Sequence, residues 1–287
     1  MSKRRFKRFL IIAALAAGAA PAMCQLPLGP PHETGASITG AFEGWYKNPD
    51  GSFSFLLGYF NRNTLQELEI PIGPDNRIEP GGPDLGQPAW FLPGRQWGMF
   101  TVKVPANFGD KKLTWTIVAN EQQTAIPLSL KPDYEVSPFQ EAAGNTPPAL
   151  RFDAQGAVAK GPGGLNASRT VKAGSPLSLT VWVSDDLKPG SGSGALSKKQ
   201  LAHPVTVTWS KYRGPGNVSF SNSKPDVEET ARKDGKLPFS GKATTEAVFD
   251  RPGDYILHVY ANDYSGEGGA GFECCWTYGD VKVSVLP

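Results

Sequence analysis

Apolar residues recur at every second position in short runs along most of this chain, the two-residue period of a strand with one buried face. Phe53, Phe55, Leu57 and Tyr59 share one face, with Ser54, Leu56 and Gly58 opposite. Phe100-Val102-Val104 and Leu113-Trp115-Ile117 repeat the pattern. Leu177-Leu179-Val181-Val183, Val205-Val207-Trp209, Tyr255-Leu257-Val259 and Val281-Val283-Val285 follow further on. Turn chemistry separates these runs at Asn48-Pro49-Asp50-Gly51, Glu79-Pro80-Gly81-Gly82, Phe108-Gly109-Asp110 and Arg251-Pro252-Gly253-Asp254. Gly 33 and Pro 26 among 287 residues leave few windows for a helix. Only Asp226–Asp234 and Ala195–His203 could each form a short one. The pattern predicts an all-β chain and excludes a membrane bundle, a coiled coil and a nucleotide-binding α/β enzyme.

A hydrophobic share of 39% supplies one or two cores. Two β-sandwich modules are expected, over 36–132 and 150–287, joined by a proline-rich linker over 133–149. Residues 1–24 read as an export signal and 25–35 as an N-terminal tail. Lys3, Arg4, Arg5, Lys7 and Arg8 precede the apolar stretch Leu10–Ala20, and Ala20-Pro21-Ala22 offers a small-x-small cleavage pattern. The expected location is periplasmic or extracellular, with no transmembrane segment after cleavage; lipid anchoring at Cys24 is the alternative. Met23 stands before Cys24, where lipidation sites resemble Ala, Gly or Ser. Removing the signal leaves 24 cations against 27 anions. A mildly acidic chain without a basic run has no footprint for phosphate backbones, so no nucleic-acid partner is expected.

The stretch from Phe249 to Asp263 reads aromatic-x-x-Pro-Gly-x-Tyr, then alternating apolar residues, then Asp. It resembles the penultimate strands of bacterial immunoglobulin-like and PKD-like domains. The resemblance covers about 170–287 and implies an immunoglobulin-like sandwich with Tyr255 in the place of the tyrosine corner, whose hydroxyl bonds back to the turn backbone. Leu257 stands where antibody-type domains carry their second cysteine. The Trp-Asp-Phe-Gly-Asp-Gly signature of PKD domains is missing; Trp209-Ser210-Lys211 occupies the comparable strand. The first module resembles segments of uncharacterised exported bacterial proteins through Gly44-Trp45, Asn48-Pro49-Asp50-Gly51-Ser52-Phe53, Gly58-Tyr59, Asn61-Arg62-Asn63 and Phe91-Leu92-Pro93-Gly94-Arg95. That likeness implies no activity.

Taking strands B (177–183), C (205–212), C′ (217–220), E (243–249), F (255–261) and G (279–285), the long B–C, 221–242 and F–G connections leave from one end. Long loops on a rigid sandwich are where recognition concentrates. Asp185, Asp186, Asp263 and Glu267 could hold Ca²⁺, a hard cation that takes six to eight oxygens; otherwise no cofactor is expected. Tyr264, Phe272, Trp276 and Tyr278 could form a platform for a glycan or a protein ligand, or fold inward over the sandwich end. Trp45, Trp90, Phe91 and Trp97 are assigned to the core of the first module. Cys274 and Cys275 leave a vicinal bridge, two free thiols or a bridge to another chain open. No Cys/His spacing matches a zinc site.

No Gly-x-Ser-x-Gly elbow, His-Glu-x-x-His or phosphate loop occurs. His258 alternates with Leu257 and Val259, which places it on an outer sheet surface. The expected function is non-enzymatic binding or adhesion at the cell envelope or outside it. The alternatives are a carbohydrate-active or other hydrolytic enzyme using loop carboxylates, and a structural spacer.

Overall fold

The computed structural model describes residues 32–141, 144–188, 202–230, 238–264 and 274–287. The export signal, its cleavage sites and Cys24 lie outside them, as do Glu267 and Phe272. So do residues 195–201 and 231–234 of the two expected helices; within the described part, Glu228–Glu229 is a strand. The chain is all-β.

The first module is built from β1 (Ile38–Lys47), β2 (Phe53–Asn61), β3 (Leu68–Glu69), β4 (Asn76–Glu79), β5 (Trp90–Phe91), β6 (Gly94–Val104), β7 (Leu113–Ala119) and β8 (Gln122–Leu128). An antiparallel sheet β1-β2-β6 faces a second sheet β4-β7-β8, and the short β3-β5 pair lies off both. Phe55, Leu57, Tyr59, Phe100 and Val102 meet Ile78, Trp115, Ile117 and Leu128 in one apolar core. Phe100 and Trp115 cross edge to face at 5.1 Å between centroids, a geometry that suits the ring quadrupoles. Each predicted alternating run lies within one of these strands, because a single-parity stripe can be buried only in an extended chain.

The second module comprises β9 (Ala149–Arg151), β10 (Ala159–Lys160), β11 (Asn166–Lys172), β12 (Leu177–Asp185), β13 (Val205–Arg213), β14 (Val218–Phe220), β15 (Glu228–Glu229), β16 (Phe239–Phe249), β17 (Gly253–Asp263) and β18 (Trp276–Leu286). One sheet runs β10-β9-β12-β16-β14, with β15 also on β16; the other runs β11-β18-β17-β13. This is the two-sheet immunoglobulin-like arrangement, with β12, β13, β16, β17 and β18 as strands B, C, E, F and G. One assignment is corrected. Residues 218–220 pair with strand E, not with C, so β14 takes the D position and the sandwich has the constant-type strand set. Three residues carry too little pattern to show which sheet they join.

Trp209 is 2% exposed and packs in a core with Val181, Leu257 and Val283. The antibody-type disulfide is replaced by aliphatic packing around that tryptophan. Tyr255 is buried against Phe249, and its hydroxyl donates to the Arg251 carbonyl at 2.9 Å. The tyrosine corner is therefore formed as the Pro-Gly-x-Tyr pattern implied.

Residues 32–287 make one compact unit with two cores. The outer face of β17 and β18 is turned to the first module. Tyr212 belongs to the first module's core although β13 carries it, and its backbone carbonyl accepts from Ala89 N–H at 3.1 Å. Arg213 forms a two-pronged pair with Asp84 at 2.8 and 2.9 Å. Gly98 (φ +53°) lies directly against the Trp276 indole, where a side chain would collide. Tyr278 hydrogen-bonds Thr101. This contact explains why β2 is buried on both faces: Ser54 and Leu56 are 4% and 1% exposed.

The same contact overturns the surface assignment of His258. It is 1% exposed, stacked on Tyr212 at 5.3 Å, with Nδ1 2.7 Å from Asp280 Oδ1. The proline-rich stretch also packs closely. Val136 N–H donates to Trp45 O, Phe139 crosses Tyr46 at 5.1 Å, and Thr277 donates to the Pro148 carbonyl at 2.5 Å. Its prolines keep it extended while these contacts fix its course.

Candidate functional site

Strand register brings the stems of the three long connections to one end of the second module. Asp185 pairs with Phe239, Asp263 with Val205, and Asn262 with Trp276. The connections between these stems run largely through residues outside the described set.

Asp185 and Asp263, the last residues of strands B and F, are 4% and 1% exposed. The Leu187 N–H donates to Asp185 Oδ1 at 2.7 Å, while Asp185 Oδ2 has no hydrogen-bond partner among the described residues. Burial raises the Asp185 carboxyl from 3.8 to about 7. The Leu187 amide opposes the shift, and the neighbouring charges of Asp263 and Asp186 reinforce it. Asn145 donates to Asp263 Oδ2 at 2.7 Å. Asp186 instead sits at the rim, taking Thr146 Oγ1 at 3.2 Å and Lys188 Nζ at 3.4 Å. Asp185 and Asp263 thus come together, whereas Asp186 is turned to other partners. No set of three metal-ligating side chains converges among the described residues.

The aromatic residues divide. Tyr264 donates its hydroxyl to Lys188 O at 2.6 Å, bracing the F-strand end against the B–C stem. Trp276 and Tyr278 are 2% and 6% exposed and pack toward the first module. They form no open platform, since the sheet face that carries them is covered. Cys274 and Cys275 are buried and joined by a disulfide beside Trp276.

A second feature lies at the junction of the modules. A cleft of about 450 Å³ runs along β13 and is lined by Trp90, Glu67, Ser210, Lys211, Asn217 and Lys224, among others. Trp45 and Phe91 are core residues as expected, but Trp90 and Trp97 are only half-buried. The loop before Trp90 is held by Asn76, whose side-chain amide donates to Pro88 O at 2.7 Å. The indole N–H of Trp90 donates to Glu67 Oε2 at 2.7 Å, and Lys211 Nζ lies 4.0 Å from the ring centroid. Lys211 is 7% exposed and donates no hydrogen bond among the described residues; the nearest carboxylate oxygen, on Glu69, is 3.9 Å away. Burial lowers the Lys211 ammonium below its ordinary range, and Glu69 chiefly resists. A signal for this site was present: Lys211 is in phase with Val205, Val207 and Trp209, a charge on the apolar parity of a strand.

No protein-family model matches the chain, and no curated protein matches it. Among solved structures, it is similar to the D0-D1 domain of Intimin at 13% identity, covering 88% of this chain and 98% of that one, with a TM-score of 0.21. S-layer protein SbsC domains 4 and 5 overlap at 14% identity, 88% and 98% coverage and a TM-score of 0.19. A protein of unknown function from Porphyromonas gingivalis W83 overlaps at 11% identity, 87% and 100% coverage and a TM-score of 0.24. Overlaps of this quality carry no argument about activity or ligand. Among the described residues, no helix is long and apolar enough to cross a membrane. What stands is the architecture: two β-sandwiches, the second immunoglobulin-like.

Proposed function

We propose that the protein is exported and acts as a non-enzymatic binding or adhesion protein of the cell envelope or exterior, using the loop end of its immunoglobulin-like module. The observation that carries this reading is the gathering of three long connections on stems held at one end by strand register. The outer face of β17 and β18 packs against the first module, which gives the described stems a rigid base. The basic, apolar N-terminal stretch supports export.

The test is binding of the labelled mature chain to intact bacterial cells, isolated sacculi and immobilised host glycans. A variant with 189–201 replaced by a short Gly-Ser turn is run alongside. The reading predicts that the variant melts like the parent and loses binding at least about tenfold. Equal binding by both chains, or turnover of glycoside substrates that the loop carboxylate variants abolish, would overturn it.

A further inference from the structure

We propose that the junction cleft is a separate saccharide site, and that its ligand is a sugar bearing a carboxylate. The sugar ring would stack on Trp90, with the carboxylate taken by Lys224 at the mouth and Lys211 on the wall.

Three properties lead there. Trp90 is held before any ligand arrives: backbone pairing with Glu69, the bond to Glu67 and the Lys211 ammonium together fix its ring. Lys211 covers one face of this half-buried indole, and the sugar ring would take the opposite face at little ordering cost. The cleft also has a surplus of donors. Lys211 and Lys224 bring two ammonium groups; among the described residues one carboxylate, Glu67, lines the cleft, with one oxygen already used by the indole, and Glu69 beside it stays 3.9 Å from Lys211 Nζ, beyond hydrogen-bond reach. Ammonium groups donate and never accept, so the complementary ligand is rich in acceptors. The hydroxyls of Thr208 and Ser210 line the same cleft and suit the mixed donor and acceptor character of sugar hydroxyls. Lastly, the volume of about 450 Å³ lies in the range of small-ligand pockets, about 300–1,000 Å³, and matches one or two sugar rings rather than a chain.

The experiment is calorimetric titration of the mature chain with digalacturonic acid, N-acetylneuraminic acid and neutral digalactose, at low and at high salt. At least one acidic probe is expected to saturate, at least about tenfold tighter than digalactose. Salt should weaken it, because part of its affinity comes from charge. Trp90→Ala should weaken that probe about tenfold or more, and Lys224→Ala, an exposed change that cannot disturb a core, should remove most of the preference over the neutral sugar. Lys211→Met checks the wall ammonium independently, provided its melting curve stays cooperative; Lys224→Ala decides the point if it does not. Saturation by none of the probes, equal affinity for acidic and neutral probes, or acidic binding that survives Trp90→Ala would each overturn the proposal. The loop reading is scored by cell binding and the cleft reading by sugar titration of Trp90→Ala and Lys224→Ala, two residues outside 189–201, so the two readings fail separately.

Discussion

Gly98→Ala probes the contact that fuses the two modules. Gly98 has φ +53°, a region that costs an L-residue about 1–2 kcal/mol. A methyl there would lie 2.5 and 2.6 Å from Trp276 Cε2 and Nε1, well inside contact distance. Overpacking of that kind costs about 1–3 kcal/mol. The loss should therefore be about 3 kcal/mol, which at about 2–4 °C per kcal/mol lowers the melting temperature by roughly 6–12 °C. Urea unfolding followed by tryptophan fluorescence measures it. Trp276→Val in the same background should return the steric part and leave the backbone part, so a double-mutant cycle should give a coupling of about 1 kcal/mol or more. If Gly98→Ala melts within a degree or so of the parent, Trp276 is not seated against β6. The outer sheet face would then be open, and Trp276 and Tyr278 would again be candidates for an exposed platform.

Removing the Tyr255 hydroxyl with Phe should cost about 1 kcal/mol in urea unfolding, since it removes the bond to the Arg251 carbonyl; an unchanged midpoint would deny the corner its role. Burial raises Glu43 from 4.5 to about 7 against the pull of Arg95, as it raises Asp185 from 3.8. The folded state therefore holds protons that the unfolded chain releases, and stability falls as pH rises from about 4 to 7, by up to roughly 3 kcal/mol for each group. Urea midpoints at acid and neutral pH should show that slope, flattened by Glu43→Gln and Asp185→Asn; a slope that these variants do not alter refutes the assignment. Arg213→Ala should cost only about 1 kcal/mol, because half-exposed Asp84 keeps its water; chemical denaturation at high salt should narrow the difference further.

The strands were legible because each carries a single-parity stripe, and the tyrosine corner because Pro252-Gly253 fixes the turn before Tyr255. The burial of Ser54, Leu56 and His258 was not legible. Those residues lie on the parity that alternation assigns to solvent, and only the docking of a second sheet covers them. Trp90 sits in a two-residue strand, too short for any period to place it. Lys211 differs: its phase within β13 marked an ammonium turned toward apolar neighbours. At the loop end, Asp185 and Asp263 are the last residues of strands B and F, which is why an antiparallel tracing of the sequence sets both at that end. It could not show that Trp276 and Tyr278, one strand away, face the other module.

The parallel pairing of β11 with β18 has a mechanical consequence. The two strands lie side by side from Asn166 and Asp280 to Lys172 and Leu286, so the N-terminal end of one and the C-terminal end of the other are at opposite ends of the ladder. Tension applied between the first module and residues beyond Leu286 would slide the strands past each other rather than peel them apart. All the bonds along that ladder would share the force at once. β18 is held on its other edge by β17 from Asn262 to Gly253, so the strand under tension is clamped on both sides. Extension along that line of force would be resisted at this ladder.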